Sequence, residues 1–273
     1  MQQQTALNSN NITFDELINE AKTHAVIGWD FSFIHNRWSE HNTKWDFSSL
    51  VRHEFMTATR FLDLGTGGGE FLSSLVPLPE ETVATEAFEP NIDIAQKYLS
   101  QLNVKVVGVA GAPDNIEIES GQGIGNLPFS NNYFSLITSR YESYYPDEIY
   151  RILKHGGIFL TQQVGYSHYD KLNQIFDNQE LSNRNQNKWN QAFAIDQLKL
   201  AGFNILEHGE EYPETVFNDV GALVYYLRMV PWQIPDFNVD KYQNQLKYIH
   251  EQIKREGGLV VTGHYFYIRA VKL

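Results

Sequence analysis

The chain has 273 residues, of which 42% are hydrophobic and 14% aromatic, enough for one large α/β domain with additions. Its formal net charge is −12, from 21 Lys and Arg against 33 Asp and Glu, and no basic run offsets it. That balance disfavours nucleic acid and anionic membrane surfaces, which need a basic patch. The absence of cysteine excludes disulfides, thiolate zinc ligands and a thiol nucleophile.

Residues 1–11 are polar and lack the basic and apolar blocks of a secretion signal. No apolar run approaches the roughly 18 residues of a membrane span. The expectation is a soluble, cytoplasmic protein. Thr13 can cap a helix, with Glu16 three residues on completing a capping box, and Phe14, Leu17, Ile18, Ala21 and Ala25 would form its apolar face. The next stretch concentrates Trp29, Trp38 and Trp45, three of the five tryptophans. Asp46 can cap a further short helix carrying Phe47, Leu50, Val51 and Phe55. Each of these aromatics reads equally as simple packing.

Arg60 to Leu64 reads as a short buried strand ending at the carboxylate of Asp63, followed by Gly65, Gly67 and Gly69. Phe71, Leu72, Leu75 and Val76 then fit the start of a helix. Such a turn presents backbone N–H groups and a helix N-terminus to a ligand, and glycine permits both positive φ and close approach. The dinucleotide pattern G-x-G-x-x-G would need glycine where Glu70 stands, and no Lys-Ser/Thr follows as in a phosphate-binding P-loop. Asp63 would repel a pyrophosphate and attract an ammonium or sulfonium group. Asp63, Gly65, Gly67 and Gly69 match acidic-x-Gly-x-Gly-x-Gly, and the stretch resembles the first motif of the class I S-adenosylmethionine-dependent methyltransferases.

That resemblance implies a Rossmann-like seven-stranded sheet, parallel except for the last strand, with helices on both faces and S-adenosylmethionine as cofactor. Asp63, Gly65, Thr66, Gly67 and Gly69 would hold its methionyl part. Thr82 to Glu86 reads as the second strand, and Glu86, 23 residues after Asp63, would accept the ribose hydroxyls, with Ala87 beside it. A helix follows from Pro90 to Leu102, then a third strand over Val104–Val109. The adenine-contacting acid of the family has no counterpart before Leu127-Pro128-Phe129; backbone near Ala110–Gly111 or Gly123–Gly125 is left for that contact. Phe134 to Arg140 resembles the fourth strand, with Ser135 in place of the usual Asp. Asp147 to Lys154 is a helix, and Leu153-Lys154-His155-Gly156-Gly157 resembles the family's turn into the fifth strand.

A polar linker over 178–190 leads to a helix with Phe193, Ile195 and Leu198, a sixth strand from Asn204 and a closing strand over His264–Val271. Between them, Asp219 to Arg228 forms one helix, and Val239, Tyr242, Leu246, Ile249 and Ile253 mark a longer one ending at Gly257. The expected organisation is an N-terminal cap (1–58), a cofactor-binding core (59–210), a helical insertion capping the active site (211–258) and the final strand (259–273). The whole chain also resembles an uncharacterised bacterial methyltransferase group sharing the R-x-E, TQQVG and DVGALVYYLR stretches, which implies fold and cofactor but no substrate.

In-line methyl transfer is served largely by positioning, with a base needed only if the acceptor loses a proton. Arg140 and Glu142 follow the fourth strand, as a clamp for a carboxylate and a base; the alternative is that they pair with each other or with surface partners. Asp30, Tyr225, Tyr226, Arg228 and Trp232 are further pocket candidates. The nine histidines show no metal-binding spacing, so no metal is expected. The expected function is methyl transfer to a small molecule. An RNA or protein acceptor, or a cofactor-binding protein without catalysis, is the alternative.

Overall fold

The computed structural model describes residues 12–26, 30–118, 127–176 and 189–273. In chain order the elements are α1 (Phe14–Thr23), β1 (Trp38–Glu40), α2 (Phe47–Phe55), β2 (Arg60–Leu64), α3 (Glu70–Ser74), β3 (Glu81–Glu86), α4 (Glu89–Leu99), β4 (Lys105–Gly108), β5 (Phe134–Arg140), α5 (Pro146–Ile152), β6 (Leu153–Val164), α6 (Asp170–Ile175), α7 (Gln191–Leu200), β7 (Phe203–Glu211), β8 (Glu214–Phe217), α8 (Val220–Met229), α9 (Gln243–Glu256), β9 (Leu259–Thr262) and β10 (Tyr265–Lys272). They group into two compact units. Of the described residues, one draws on 12–26, 30–41, 169–176 and 213–262, the other on 42–118, 127–168, 189–212 and 263–273.

The second unit is built on a seven-stranded sheet in the order β4-β3-β2-β5-β6-β10-β7. Its strands run parallel except β10, which is antiparallel to both β6 and β7. Alternation along the strands splits the core between two faces. Leu62, Ile137, Phe159 and Ile268 pack on one face with Trp189 and Leu198. Phe61, Leu136, Leu160 and Tyr267 pack on the other with Phe47, Val51, Leu72 and Leu99. Asp46 caps α2 by accepting from Ser48 N at 3.0 Å. Lys272 Nζ donates to Tyr150 O at 2.6 Å and to Leu153 O at 2.8 Å, so a cation satisfies carbonyls at the C-terminal end of α5.

The first unit centres on α8, buried over almost its whole length because nine of its ten residues are apolar or glycine. Leu17, Ile18 and Ala21 of α1 pack with Leu223, Tyr225 and Tyr226. The capping box at Thr13 and Glu16 forms as expected. Ala25 falls outside the helix, which ends at Thr23, and Arg228 donates to the carbonyls of Ala21 and His24 there. Asp219 caps α8 through Ala222 N at 2.9 Å and holds Arg37 through two bonds of 2.8 and 2.7 Å.

Three expectations change in detail. The stretch 211–258 is not wholly helical: β8 joins β1 and β9 in a three-stranded antiparallel sheet, whose strands are too short for their alternation to stand out. The helix carrying Leu246, Ile249 and Ile253 begins at Gln243, so Val239 and Tyr242 precede it. The helix after the glycine turn is only five residues long, and Val76 lies beyond it. Trp29, Gly123–Gly125 and most of the polar linker lie outside the described residues.

Candidate active site

The glycine turn leaves β2 beside β3 and is tied to it. Thr66 N donates to Thr85 O at 2.9 Å, and Gly67 N donates to Glu86 Oε2 at 2.7 Å. Gly65, Gly67 and Gly69 have φ of 70°, 61° and 90°, the left-handed region that strains other residues. Gly65 is required twice over, since a Cβ there would lie 2.4 Å from Glu142 Cγ. With α3 so short, ligand-facing N–H groups come from the turn itself more than from a helix dipole.

Asp63 is buried at 3% exposure, with Oδ1 accepting from Thr138 Oγ1 at 2.7 Å. Burial pushes its carboxyl up to about 6, against the pull of the Thr138 hydroxyl and the positive charge of Arg140. Glu86 is also buried, and its two oxygens accept three backbone N–H groups: Gly67 at 2.7 Å, Ala87 at 3.0 Å and Phe88 at 2.8 Å. A carboxylate offers about four lone-pair positions, so roughly one remains for a ligand. Glu86 is therefore as much a clasp on the turn as a binding group.

Arg140 ends β5, opposite Gln162 of β6. Its Nε is buried without a hydrogen-bond partner, and its guanidinium lies 4.6 Å from the Phe71 ring and 4.7 Å from the Tyr141 ring. Tyr141 follows at φ +63°, a strained conformation for a tyrosine. Its N–H donates to Gln162 O at 2.8 Å and its hydroxyl accepts from Gln162 Nε2 at 2.6 Å, which hold the turn. Gln162 Oε1 in turn accepts from Trp45 Nε1 at 2.7 Å. Glu142 is half-buried and makes no ion pair with Arg140. Burial, then the negative charge of Glu86, pushes its carboxyl up to about 7.

A cavity of about 300 Å³ opens at this edge of the sheet, lined among others by Gly65, Glu86, Ala87, Ala110, Gly111 and Glu142. The structure thus gathers four predicted residues, Gly65, Glu86, Ala87 and Glu142, with the Ala110–Gly111 backbone. Asp63, Thr66, Gly67, Gly69 and Arg140 are not among its lining residues. The sequence reading does not single out Thr138, and it does not foresee that Trp45, one of the clustered tryptophans, bonds Gln162 at the end of the fifth predicted strand. Thr138 left no distinctive signal, since the same strand also carries Ser135 and Ser139. Ser135 sits at the opposite end of β5, accepting from Thr59 N at 2.8 Å and Arg60 N at 3.0 Å, which is a structural role. Among the described residues no cluster of His, Asp and Glu suits a metal ion, and no helix is long and apolar enough to cross a membrane.

The cavity suits the cofactor that the first motif implies. Its carboxylates, Glu86 and Glu142 among them, favour a cationic ligand. The family described as "Methyltransferase domain" matches residues 62–161. The curated protein YcgJ of Bacillus subtilis, described as an uncharacterized methyltransferase, is 24% identical over 157 residues, covering 51% of this chain and 56% of its own. The chain thus spans about half the length of that relative. The solved structure of YcgJ superposes with a TM-score of 0.51 at 14% identity over 83% of this chain and 97% of its own. A Bacillus halodurans structure gives 0.55 at 18% identity, over 83% of this chain and 98% of that one. Residues 62–161 thus match a methyltransferase domain, and the seven-stranded sheet has the fold of these solved structures.

Proposed function

We propose that the protein transfers the methyl group of S-adenosylmethionine to a small-molecule acceptor. The observation that carries this reading is the pairing of a positive-φ glycine turn with an acid-lined cavity of about 300 Å³ at the C-terminal ends of β2, β3 and β5. When bound, the cofactor supplies an electrophilic methyl carbon on a positively charged sulfur. Asp63 orders the turn and contributes negative charge, and Glu86 clasps Gly67 and keeps one acceptor position for a ribose hydroxyl. Glu142 supplies counter-charge from the cavity wall. Arg140, with its unpartnered Nε, offers a donor to an anionic group of the acceptor. A net charge of −12 supports a small acceptor over RNA.

Calorimetric titration with S-adenosylmethionine and S-adenosylhomocysteine tests the cofactor site. Micromolar binding is expected, weakened at least tenfold in Asp63→Ala and in Glu86→Ala with the fold intact by circular dichroism. Unchanged affinity in both variants would place the site elsewhere.

A further inference from the structure

A second constellation stands at the same edge of the seven-stranded sheet, where β6 ends and β10 begins. Ser167 Oγ lies 2.7 Å from His264 Nδ1, and His264 Nε2 lies 2.9 Å from Glu210 Oε1. The backbone N–H of Ser167 also donates to His264 Nδ1, at 3.3 Å. A backbone N–H can only donate, so Nδ1 carries no proton. The ring proton therefore sits on Nε2 and is donated to Glu210, and the Ser167 hydroxyl donates to Nδ1.

The arrangement is built into the fold. His264 is fully buried, and its ring lies over Gly165, where a Cβ would come within 2.2 Å of it. Tyr212 covers the ring at 4.6 Å and Tyr166 meets it edge-on at 5.5 Å. Glu210 Oε1 is fixed by a second donor, Gln191 N, at 3.1 Å. His168 accepts the His264 backbone N–H at 3.2 Å, and Tyr265 packs edge-on to His168 at 5.1 Å. Burial pushes His264 below its ordinary pKa while Glu210 pulls it up; burial and neighbouring His264 push His168 down to about 3. Both imidazoles are neutral at neutral pH, and His264 is the one with a hydroxyl on its unprotonated nitrogen.

A serine, imidazole and carboxylate in series can serve as a nucleophile or as a proton relay. A nucleophile that attacks a carbonyl needs donors for the developing oxyanion. The loop after β6 has none to spare. Tyr166 N donates to Trp189 O at 2.9 Å, Ser167 N to His264, His168 N to Gly165 O at 3.1 Å, and Tyr169 N to Thr262 O at 2.9 Å. A proton relay needs no such donors. Glu210 keeps 27% of its side-chain surface exposed, so a proton has an exit to water.

We propose that Ser167, His264 and Glu210 deprotonate an aromatic hydroxyl acceptor as it is methylated, an inference that rests on the methyltransferase reading above. The acceptor oxygen attacks the sulfonium methyl carbon. A C–O bond forms while the C–S bond breaks, and that electron pair stays on sulfur. The acceptor proton passes to Ser167 Oγ as the Ser167 proton passes to His264 Nδ1. Glu210 holds the resulting imidazolium until its proton leaves to water. A carboxylate acceptor would have no proton to give, whereas a hydroxyl needs the base. The rings of Tyr166, Tyr212 and Tyr265 around the two histidines suit a flat phenol.

The test uses the full-length protein saturated with S-adenosylhomocysteine and titrated with 4-nitrophenol below that phenol's own pKa. Wild type should convert the bound phenol to its coloured phenolate. Ser167→Ala and His264→Gln should each reduce that signal at least tenfold while binding S-adenosylhomocysteine normally, and Glu210→Gln should reduce it less. Ser167→Ala deletes one oxygen and leaves the packing, so it decides the matter even if His264→Gln does not fold. No phenolate signal from protein that binds S-adenosylhomocysteine, or a signal indifferent to Ser167→Ala, overturns the proposal. Rapid capture of Ser167 by a fluorophosphonate also overturns it, by making the serine a nucleophile. Failure to bind S-adenosylhomocysteine overturns instead the methyltransferase reading beneath it.

Discussion

Glu142→Gln offers the most quantitative test of the cofactor cavity. The Glu142 carboxyl titrates near 7 because burial and the charge of Glu86 both disfavour its ionised form. A sulfonium ligand favours that ionised form. With a pKa of about 7, roughly 9% of the sites are ionised at pH 6 and roughly 91% at pH 8. If the cation binds only the ionised form, its apparent affinity changes about tenfold across that range, or about 1.4 kcal/mol. S-adenosylhomocysteine lacks the sulfonium charge and should show little of this change. The ratio of the two affinities, measured calorimetrically at each pH, cancels everything the two ligands share. In wild type the preference for S-adenosylmethionine should rise through pH 7. In Glu142→Gln that rise should vanish, leaving only a bend near pH 6 from Asp63. A ratio that is flat from pH 6 to 8 in wild type, or that still climbs through 7 in Glu142→Gln, refutes the assignment.

Asp63→Asn should stabilise the ligand-free protein while weakening cofactor binding. The folded-state pKa is raised from 3.8 to about 6, so stability from this group is present below pH 4 and is lost as pH rises to about 6. The variant should gain about 3 kcal/mol at pH 8 and little at pH 4, read by urea unfolding; an equal gain at both would show the charge to be irrelevant. Gly65→Ala should cost about 1–3 kcal/mol from the positive φ and displace Glu142, abolishing calorimetric binding. Lys272→Met should lower stability by about 2–4 kcal/mol because it leaves the buried carbonyls of Tyr150 and Leu153 without a donor; a loss under 1 kcal/mol would show that water replaces the ammonium.

The part of the candidate site proposed to hold the cofactor is local in sequence. Asp63, Gly65, Gly67 and Gly69 lie in one strand and one turn, and Glu86 comes at a distance that the β-α-β connection sets. The seven-stranded sheet with its one antiparallel strand follows from the family resemblance that those motifs carry. What the sequence concealed is non-local or geometric. Trp45 and Gln162 meet across 117 residues, and Ser167 and His264 across 97, with no pattern to announce either pair. Tyr141 at φ +63° leaves no mark in composition, since the strain is imposed by Gln162 of the neighbouring strand. Strands of three and four residues, as in β1, β8 and β9, carry too little alternation to separate them from loops.

The first unit also has a history during synthesis. Arg37 and its partner Asp219 are 182 residues apart, and the apolar face of α1 is covered by α8. At about 5–20 residues per second, a ribosome needs roughly 10–40 s to go from one helix to the other. Through that interval Leu17, Ile18 and Ala21 have no native partner in α8, while the strands of the seven-stranded sheet up to β6 can already pair. The newborn chain therefore carries a sticky amphipathic leader ahead of a half-built sheet, and a chaperone that shields α1 until Val220–Met229 emerges would raise its folding yield.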